Sequence, residues 1–105
     1  RVARRQELMA IAIIVNEHER LSILHCLAAM DDYAANNSII QGVCASYGNT
    51  MTIDKLGTQL HWLKEQGLVT LDHHESYTIA RITQRGLDVE RGLATTPGVK
   101  RPGPR

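Results

Sequence analysis

Hydrophobic residues recur at helical spacing along most of the chain, and in one later stretch they alternate with polar residues. The first stretch, Leu8 to Val15, is apolar on nearly every side, which is typical of a helix that is buried all round. A buried strand is the alternative, because Ile13, Ile14 and Val15 favour β structure. Good helix formers and the absence of Gly and Pro favour a helix over residues 4–15, packed against a second copy as well as its own core.

A second helix is predicted to begin after Asn16. This residue is a suitable N-cap, and Glu17 and Glu19 in the next turn favour the positive end of the helix dipole. The apolar stripe that follows ends at Asp31, and residues 33–35 are few enough for a single edge strand.

Two short helices are predicted next, separated by residues 49–51. The first follows the capping residues 36–38 and ends at Gly48, and the second runs from the cap Thr52 to Gly67. Two short helices joined in this way form a helix-turn-helix candidate.

The alternating stretch predicts a β-hairpin. Residues 68–71 form one strand, 72–76 the polar tip and 77–82 the return strand. Thr83 then caps a last helix that ends at Gly92. From Thr95 onward, Pro and Gly preclude regular structure, so we expect a flexible tail.

This order of elements is that of a winged-helix domain. We therefore expect a mainly α fold with a small β-hairpin (α+β), a winged helix-turn-helix with an extra amino-terminal helix. The predicted divisions are an amino-terminal dimerisation helix over 1–15, the winged-helix domain over 16–92 and a flexible basic tail over 93–105.

Two segments look like parts of bacterial regulators of this fold. Residues 60–69, LHWLKEQGLV, look like the third helix turning into the wing, and residues 82–86, ITQRG, look like the close of the wing. Together with EHERL at 17–21 and PGVKRP at 97–102, the pattern over about 16–102 resembles a family of small winged-helix proteins of Mu-like bacteriophages and prophages. The resemblance implies a phage-borne accessory or regulatory protein that binds DNA, and it transfers no functional residues.

The net charge is only +1, but the charged residues are distributed unevenly along the chain. Residues 21–90 carry four basic and eight acidic side chains, whereas residues 91–105 carry four basic side chains and no acid. An acidic body with a basic tail weakens the case for binding nucleic acid through the body.

If the domain reads double-stranded DNA, the third helix enters the major groove and the wing touches the backbone. Helical geometry directs Thr58 and His61 outward, where they could meet base edges. Two lysines of the same helix, Lys55 and Lys64, could reach phosphates. Asp54 and Glu65 oppose those lysines, so a merely solvated helix face is the alternative. The candidate DNA-binding residues are Lys55, Thr58, His61 and Lys64 on this helix, His73, His74 and Arg81 in the wing, and Lys100 and Arg101 in the tail.

An outward tryptophan, Trp62, predicts a subunit interface, although the amino-terminal helix folding back over it would explain it equally. We expect a homodimer. The candidate interface residues are Leu8, Ile11, Ile14, Val15 and Trp62. The rival interpretation, from a different functional class, is a winged-helix protein-interaction module that does not bind DNA.

Other functional classes have little support. No phosphate-binding glycine loop, nucleophile motif or carboxylate pair is present, so we expect no enzyme, cofactor or small-molecule substrate. We expect no metal, because His73 and His74 are adjacent and point opposite ways in an extended chain, and Cys26 and Cys44 lie in separate predicted helices. The longest apolar run has eight residues, too few to span a bilayer, and two cysteines indicate reduced thiols, so we expect a location in the cytoplasm of a bacterial host.

Overall fold

The computed structural model describes residues 2–103, which form four helices and a three-stranded antiparallel sheet. The elements are α1 (Val2–Ala29), β1 (Ala34–Asn36), α2 (Asn37–Ser46), α3 (Ile53–Glu65), β2 (Val69–His73), β3 (Thr78–Ile82) and α4 (Gln84–Glu90). This is the expected winged-helix arrangement, with α2 and α3 as the helix-turn-helix and β2–β3 as the wing.

The prediction of two helices before residue 30 is wrong, because α1 is continuous through Asn16. The Asn16 side chain does not cap a helix. Its Oδ1 accepts hydrogen bonds of 2.9 Å from Lys55 Nζ and from Gln59 Nε2 on α3. A side chain occupied in this way does not compete with the helix backbone, so the helix continues.

The three remaining predicted caps are confirmed. The side chains of Asn36, Thr52 and Thr83 each accept a hydrogen bond from the amide three residues later, at the starts of α2, α3 and α4. Gly48 and Gly67 follow the ends of α2 and α3 with φ of +90° and +75°, the left-handed conformation that glycine adopts at no steric cost.

The sheet has the order β1-β3-β2, so the short predicted edge strand pairs with the returning strand of the wing. Val69 lies opposite Ile82 and His73 opposite Thr78. At the tip, β2 extends two residues further than expected and β3 begins one residue later, so the tip is residues 74–77.

The second half of α1 lies at the centre of the core. Ile23, Leu24 and Leu27 are fully buried, together with Leu56 and Leu63 of α3. The first half behaves differently, since every residue from 2 to 15 is exposed. The expectation that this segment also packs on its own core is wrong, because α1 extends beyond the other elements.

The carboxy-terminal residues lack regular structure, as expected, but they are not loose within the described part of the chain. Thr96 and Val99 are buried, and the Lys100 amide donates to the Glu17 carbonyl oxygen over 3.2 Å. We call residues 96–100 the strap. The strap crosses α1 at Glu17, just after the exposed first half of that helix ends, and the burial of Val99 holds it there.

Candidate nucleic-acid interface

The start of α3 sets which of its side chains face outward. The cap at Thr52 defines the first turn, and burial of Leu56, Leu60 and Leu63 then turns the opposite side to solvent. Thr58 and His61 lie on that outward face and are exposed, as predicted.

Both outward side chains are held by the carbonyl four residues earlier. Thr58 Oγ1 donates to the Asp54 carbonyl oxygen over 3.2 Å, and His61 Nδ1 lies 2.8 Å from the Gly57 carbonyl oxygen. Because a carbonyl oxygen only accepts, Nδ1 of His61 carries the proton in this bond. The Nε2 atom of His61 is left for an external partner.

Two stacked imidazole rings join α3 and the wing. His61 of α3 and His73 of β2 have ring centroids 5.4 Å apart and planes 14° from parallel. Nδ1 of His73 lies 3.1 Å from Thr78 Oγ1 on the neighbouring strand, which ties the stack to both strands of the wing. Sequence analysis named both histidines but did not predict their contact.

Beside this stack lies a cleft of about 270 Å³ between α3, the wing and the start of α2. Gly57 forms part of its wall, and no atom of the chain lies within 4 Å of the place where a Cβ would be. Glycine costs a helix roughly 1 kcal/mol relative to alanine. Nothing within the described residues uses the space that Gly57 leaves open.

The wing tip holds the second histidine in a separate cluster. His74 Nε2 lies 3.0 Å from Asp72 Oδ2, and its ring stacks on Tyr77 with centroids 4.6 Å apart. His73 and His74 thus have different partners. Among residues 2–103 there is no group of three His, Cys, Asp or Glu side chains that could hold a metal ion.

The candidate phosphate-binding cations differ in how exposed they are and in which groups they already contact. Lys64 is exposed in the last turn of α3. Arg81, exposed on β3, donates through Nη1 to the Asp32 carbonyl oxygen. Lys55, which we expected to reach phosphates, is directed toward α1. Its Nζ donates to Asn16 over 2.9 Å and lies 3.7 Å from Glu19 Oε1, so its charge is directed toward a buried carboxylate.

The outward face of α3 is therefore not strongly cationic. Asp54 and Glu65 are exposed at its two ends, and Lys64 is the exposed lysine of this helix. Base edges can be read by polar and acidic side chains, but affinity for a duplex depends mainly on phosphate contacts. Those contacts must come largely from outside α3.

The strap contacts α3 at Trp62, and the chain continues through Lys100 and Arg101. The Lys100 amide donates to the Glu17 carbonyl oxygen of α1, and Lys100 Nζ donates to the Arg101 carbonyl oxygen over 3.2 Å. The basic tail thus begins beside α1, whereas the wing meets α3 at His61. Arg1 and Arg105 lie outside the described residues.

Trp62 is covered by its own chain rather than left as an open interface. Arg20 lies over one face of the indole, and a Cβ on Gly98 would lie 2.5 Å from Trp62 Cζ2. This cover comes from the strap and from Arg20, which lies beyond the predicted amino-terminal helix. The subunit interface at Trp62 stays a prediction. The other four candidate interface residues, Leu8, Ile11, Ile14 and Val15, are all exposed.

The two cysteines belong to the core. Burial raises the pKa of the Cys26 thiol to about 11 and that of Cys44 to about 12. Both thiols are therefore protonated at neutral pH and are poor nucleophiles and poor metal ligands.

Within residues 2–103, none of the helices combines the length and the apolar content needed to cross a bilayer.

No family model matches the chain. Protein gp26 of Escherichia phage Mu, itself uncharacterized, is 40% identical over 92 residues, which cover 88% of this chain and 95% of gp26. This chain belongs to the gp26 family. A second relative is an uncharacterized protein of Haemophilus influenzae. It is 38% identical to this chain over 80 residues, which cover 75% of this chain and 78% of the Haemophilus protein.

The fold of this gp26-family member matches a solved structure. AbsC, a MarR family transcriptional regulator from Streptomyces coelicolor, aligns with a TM-score of 0.59 over 88% of this chain and 68% of AbsC. At 18% identity the likeness shows the winged-helix fold alone.

Proposed function

We propose that this gp26-family protein is a homodimeric winged-helix DNA-binding protein that acts in phage or prophage transcription, as a regulator or as an accessory factor. In this proposal α3 enters the major groove of double-stranded DNA, the wing lies along the backbone, and basic residues near the chain ends add salt-sensitive affinity.

The observation that carries the proposal is the His61–His73 stack. It holds the outward face of α3 and the wing together as one surface, with centroids 5.4 Å apart. A winged helix that reads DNA needs this alignment, because base contacts from the helix and backbone contacts from the wing must be made at the same time.

The roles of individual residues follow from their positions. Thr58 and His61 contact base edges, and Lys64 contacts a phosphate. In the wing, His73, His74 and Arg81 lie along the backbone, and Lys100 and Arg101 of the tail add further contacts to it. Lys55 is left out, because its ammonium group already pairs with Asn16 and Glu19.

The test is fluorescence anisotropy of the protein with a mixed-sequence duplex, titrated with salt. We expect affinity to fall steeply as salt rises, and Lys64→Gln to reduce the slope of log K against log salt by about 1. The matched control is Arg85→Gln. Arg85 is also exposed, but it lies on α4, which packs on α1 and β3 rather than on α3.

Absence of binding at low salt would exclude the proposal and favour the second candidate, a protein-interaction module without DNA binding. The observation in favour of that candidate is the charge on α3. Asp54 and Glu65 are exposed on its outward side, whereas Lys55 is engaged with α1.

A further inference from the structure

The exposed first half of α1 is a helical arm without a packing partner among residues 2–103. Residues 2–15, which we call the arm, rise by about 21 Å along the helix axis. None of them belongs to the buried core or to the side chains packed against it. The arm continues a helix that is anchored in the core, but most helical stability in proteins comes from packing of an apolar face, so a covering partner would stabilise it.

The large apolar side chains of the arm fall on two opposite faces. At about 100° per residue, one face holds four of them within an arc of about 120°. We call this set the seam: Leu8, Ile11, Ile14 and Val15. Met9 and Ile13 project from the reverse face.

The seam is large enough to contribute a specific interface. Its side chains are 51%, 48%, 53% and 44% exposed in chain order. Together with its flanking residues it offers on the order of 600 Å² per copy, the lower end of stable protein–protein interfaces. A continuous apolar patch of this size often marks an interaction site.

The composition of the seam favours a second copy of the same chain as its occupant. No charged residue lies between Leu8 and Val15, so a partner recognised by charge would find nothing to pair with there. A uniformly apolar stripe is complementary to itself about a two-fold axis.

The arginines at the start of the arm determine the direction of pairing. A parallel pair would bring Arg4 and Arg5 of both copies together, whereas an antiparallel pair that crosses near Ile11 separates the two Arg4 residues by about 21 Å. The antiparallel arrangement also places the two winged-helix bodies at opposite ends of the paired arms.

We propose that two copies associate by antiparallel pairing of their arms, seam against seam, with the crossing near Ile11. The proposal rests on the homodimer named above but not on DNA binding, and its test contains no DNA.

The test compares two double variants of the full chain by sedimentation equilibrium. Leu8→Gln with Ile11→Gln removes the seam, and Met9→Gln with Ile13→Gln makes the same kind of change on the reverse face. Glutamine preserves helix propensity. Because the arm lies outside the core, both variants keep the body folded, and Trp62 fluorescence checks this.

The wild-type chain is expected to be a dimer, and the seam variant is expected to dissociate. Its dimer Kd should rise on the order of a thousandfold, because two substitutions in each copy remove four side chains and each loss raises the Kd roughly fivefold. The reverse-face variant is expected to stay within about threefold of wild type. A monomeric wild type, an equal loss in both variants, or a monomer that binds phosphatidylglycerol vesicles through the arm would overturn the proposal.

Disulfide cross-linking tests the direction independently. Ile11→Cys places two thiols near the two-fold axis and is expected to give a covalent dimer on mild oxidation, whereas Arg4→Cys is not. The native Cys26 and Cys44 contribute little background, because both are buried. Cross-linking of both variants would mean parallel arms and would overturn the antiparallel geometry.

Discussion

The guanidinium group of Arg20 lies over the indole ring of Trp62, with its central carbon 3.8 Å from the ring centroid. The same group donates from Nη1 to the Gly98 carbonyl oxygen over 3.0 Å and from Nε to Gln59 Oε1 over 2.8 Å. Burial lowers the pKa of Arg20, while the carboxylates of Glu19 and Glu17 act to raise it. One cation thus joins α1, α3 and the strap, at the point where the arm leaves the body.

Gly98→Ala is expected to lower the free energy of unfolding by about 2–4 kcal/mol, through strain and overpacking. Gly98 has a φ of +97°, which side chains rarely adopt, and a Cβ would lie 2.5 Å from Trp62 Cζ2. Urea denaturation followed by the fluorescence of Trp62, the one tryptophan of the chain, measures the change.

The control for this variant is Gly42→Ala in α2, where no atom lies within 4 Å of the added Cβ. It is expected to leave stability unchanged or to raise it by up to about 1 kcal/mol. If Gly98→Ala were as stable as wild type, the strap would not be held against Trp62 in solution.

Gln59→Leu is expected to cost about 2–4 kcal/mol of stability although it keeps the side-chain volume. Gln59 is 1% exposed, and its Nε2 donates to Glu19 Oε1 over 2.8 Å. Without that bond the buried Glu19 carboxylate is left with the more distant charges of Lys55 and Arg20, and an undersatisfied buried charge is costly.

Urea denaturation measures this loss, with Gln66→Ala as the control. Gln66 is exposed after the last turn of α3, so its substitution is expected to change stability by less than about 0.5 kcal/mol. Equal stability of Gln59→Leu and wild type would show that Gln59 contributes packing but no necessary hydrogen bonds.

Gly57→Ala separates stability from DNA binding. The added methyl group meets no atom within 4 Å, so α3 is expected to gain about 0.5–1 kcal/mol. If a nucleic-acid backbone enters the cleft beside Gly57, the same methyl group obstructs it and DNA affinity falls. Urea denaturation and anisotropy measure the two quantities on one variant.

Gly42→Ala again serves as the comparison, since it adds a methyl group on α2 away from the cleft residues. It is expected to leave DNA affinity unchanged. Undiminished DNA affinity of Gly57→Ala would remove the cleft from the proposed interface without affecting the assignment of His61 and Lys64.

Stability is expected to fall as pH rises above about 9, because the two thiols resist ionisation in the folded state. Burial raises their pKa from 9.0 to about 11 for Cys26 and about 12 for Cys44. Between pH 9 and 11 the unfolded chain loses thiol protons that the folded chain keeps, which favours unfolding by roughly 1.4 kcal/mol per pH unit for each thiol. Below pH 9 both states keep these protons and the thiols add no pH dependence.

Urea denaturation at pH 8 and pH 10 measures this effect. The double variant Cys26→Ala with Cys44→Ala is expected to be less stable at pH 8 and to lose less stability between the two pH values. Tyr47, whose pKa burial also raises, acts in the same direction and remains in both proteins. If variant and wild type lost the same stability between pH 8 and pH 10, the thiols would not be the cause of the pH dependence.

Much of the fold was predictable because its determinants are local. Caps, left-handed glycines and alternating strands each depend on residues a few positions apart, and they located α2, α3, the wing and α4. The break at Asn16 was wrong, because whether an asparagine caps a helix or lies within one depends on what its side chain reaches. Here it reaches Lys55 and Gln59 on α3.

The candidate site was predictable only as a set of outward positions. Helical geometry directs Thr58 and His61 outward wherever Leu56 and Leu60 are buried. It could not show that His61 meets His73, because that contact depends on how the wing folds back over α3.

The sequence by itself determined the order of the elements from β1 to α4, the winged-helix fold and which face of α3 points to solvent, because capping and hydrophobic periodicity act over short distances along the chain. Only the tertiary structure decided the partners of the polar and aromatic side chains. Lys55 pairs with Asn16, 39 positions away, and Arg20 with Gly98, 78 positions away. It also decided that the arm lies outside its own core. Such contacts depend on how α1, α3 and the strap are placed in space, and no local pattern specifies that placement.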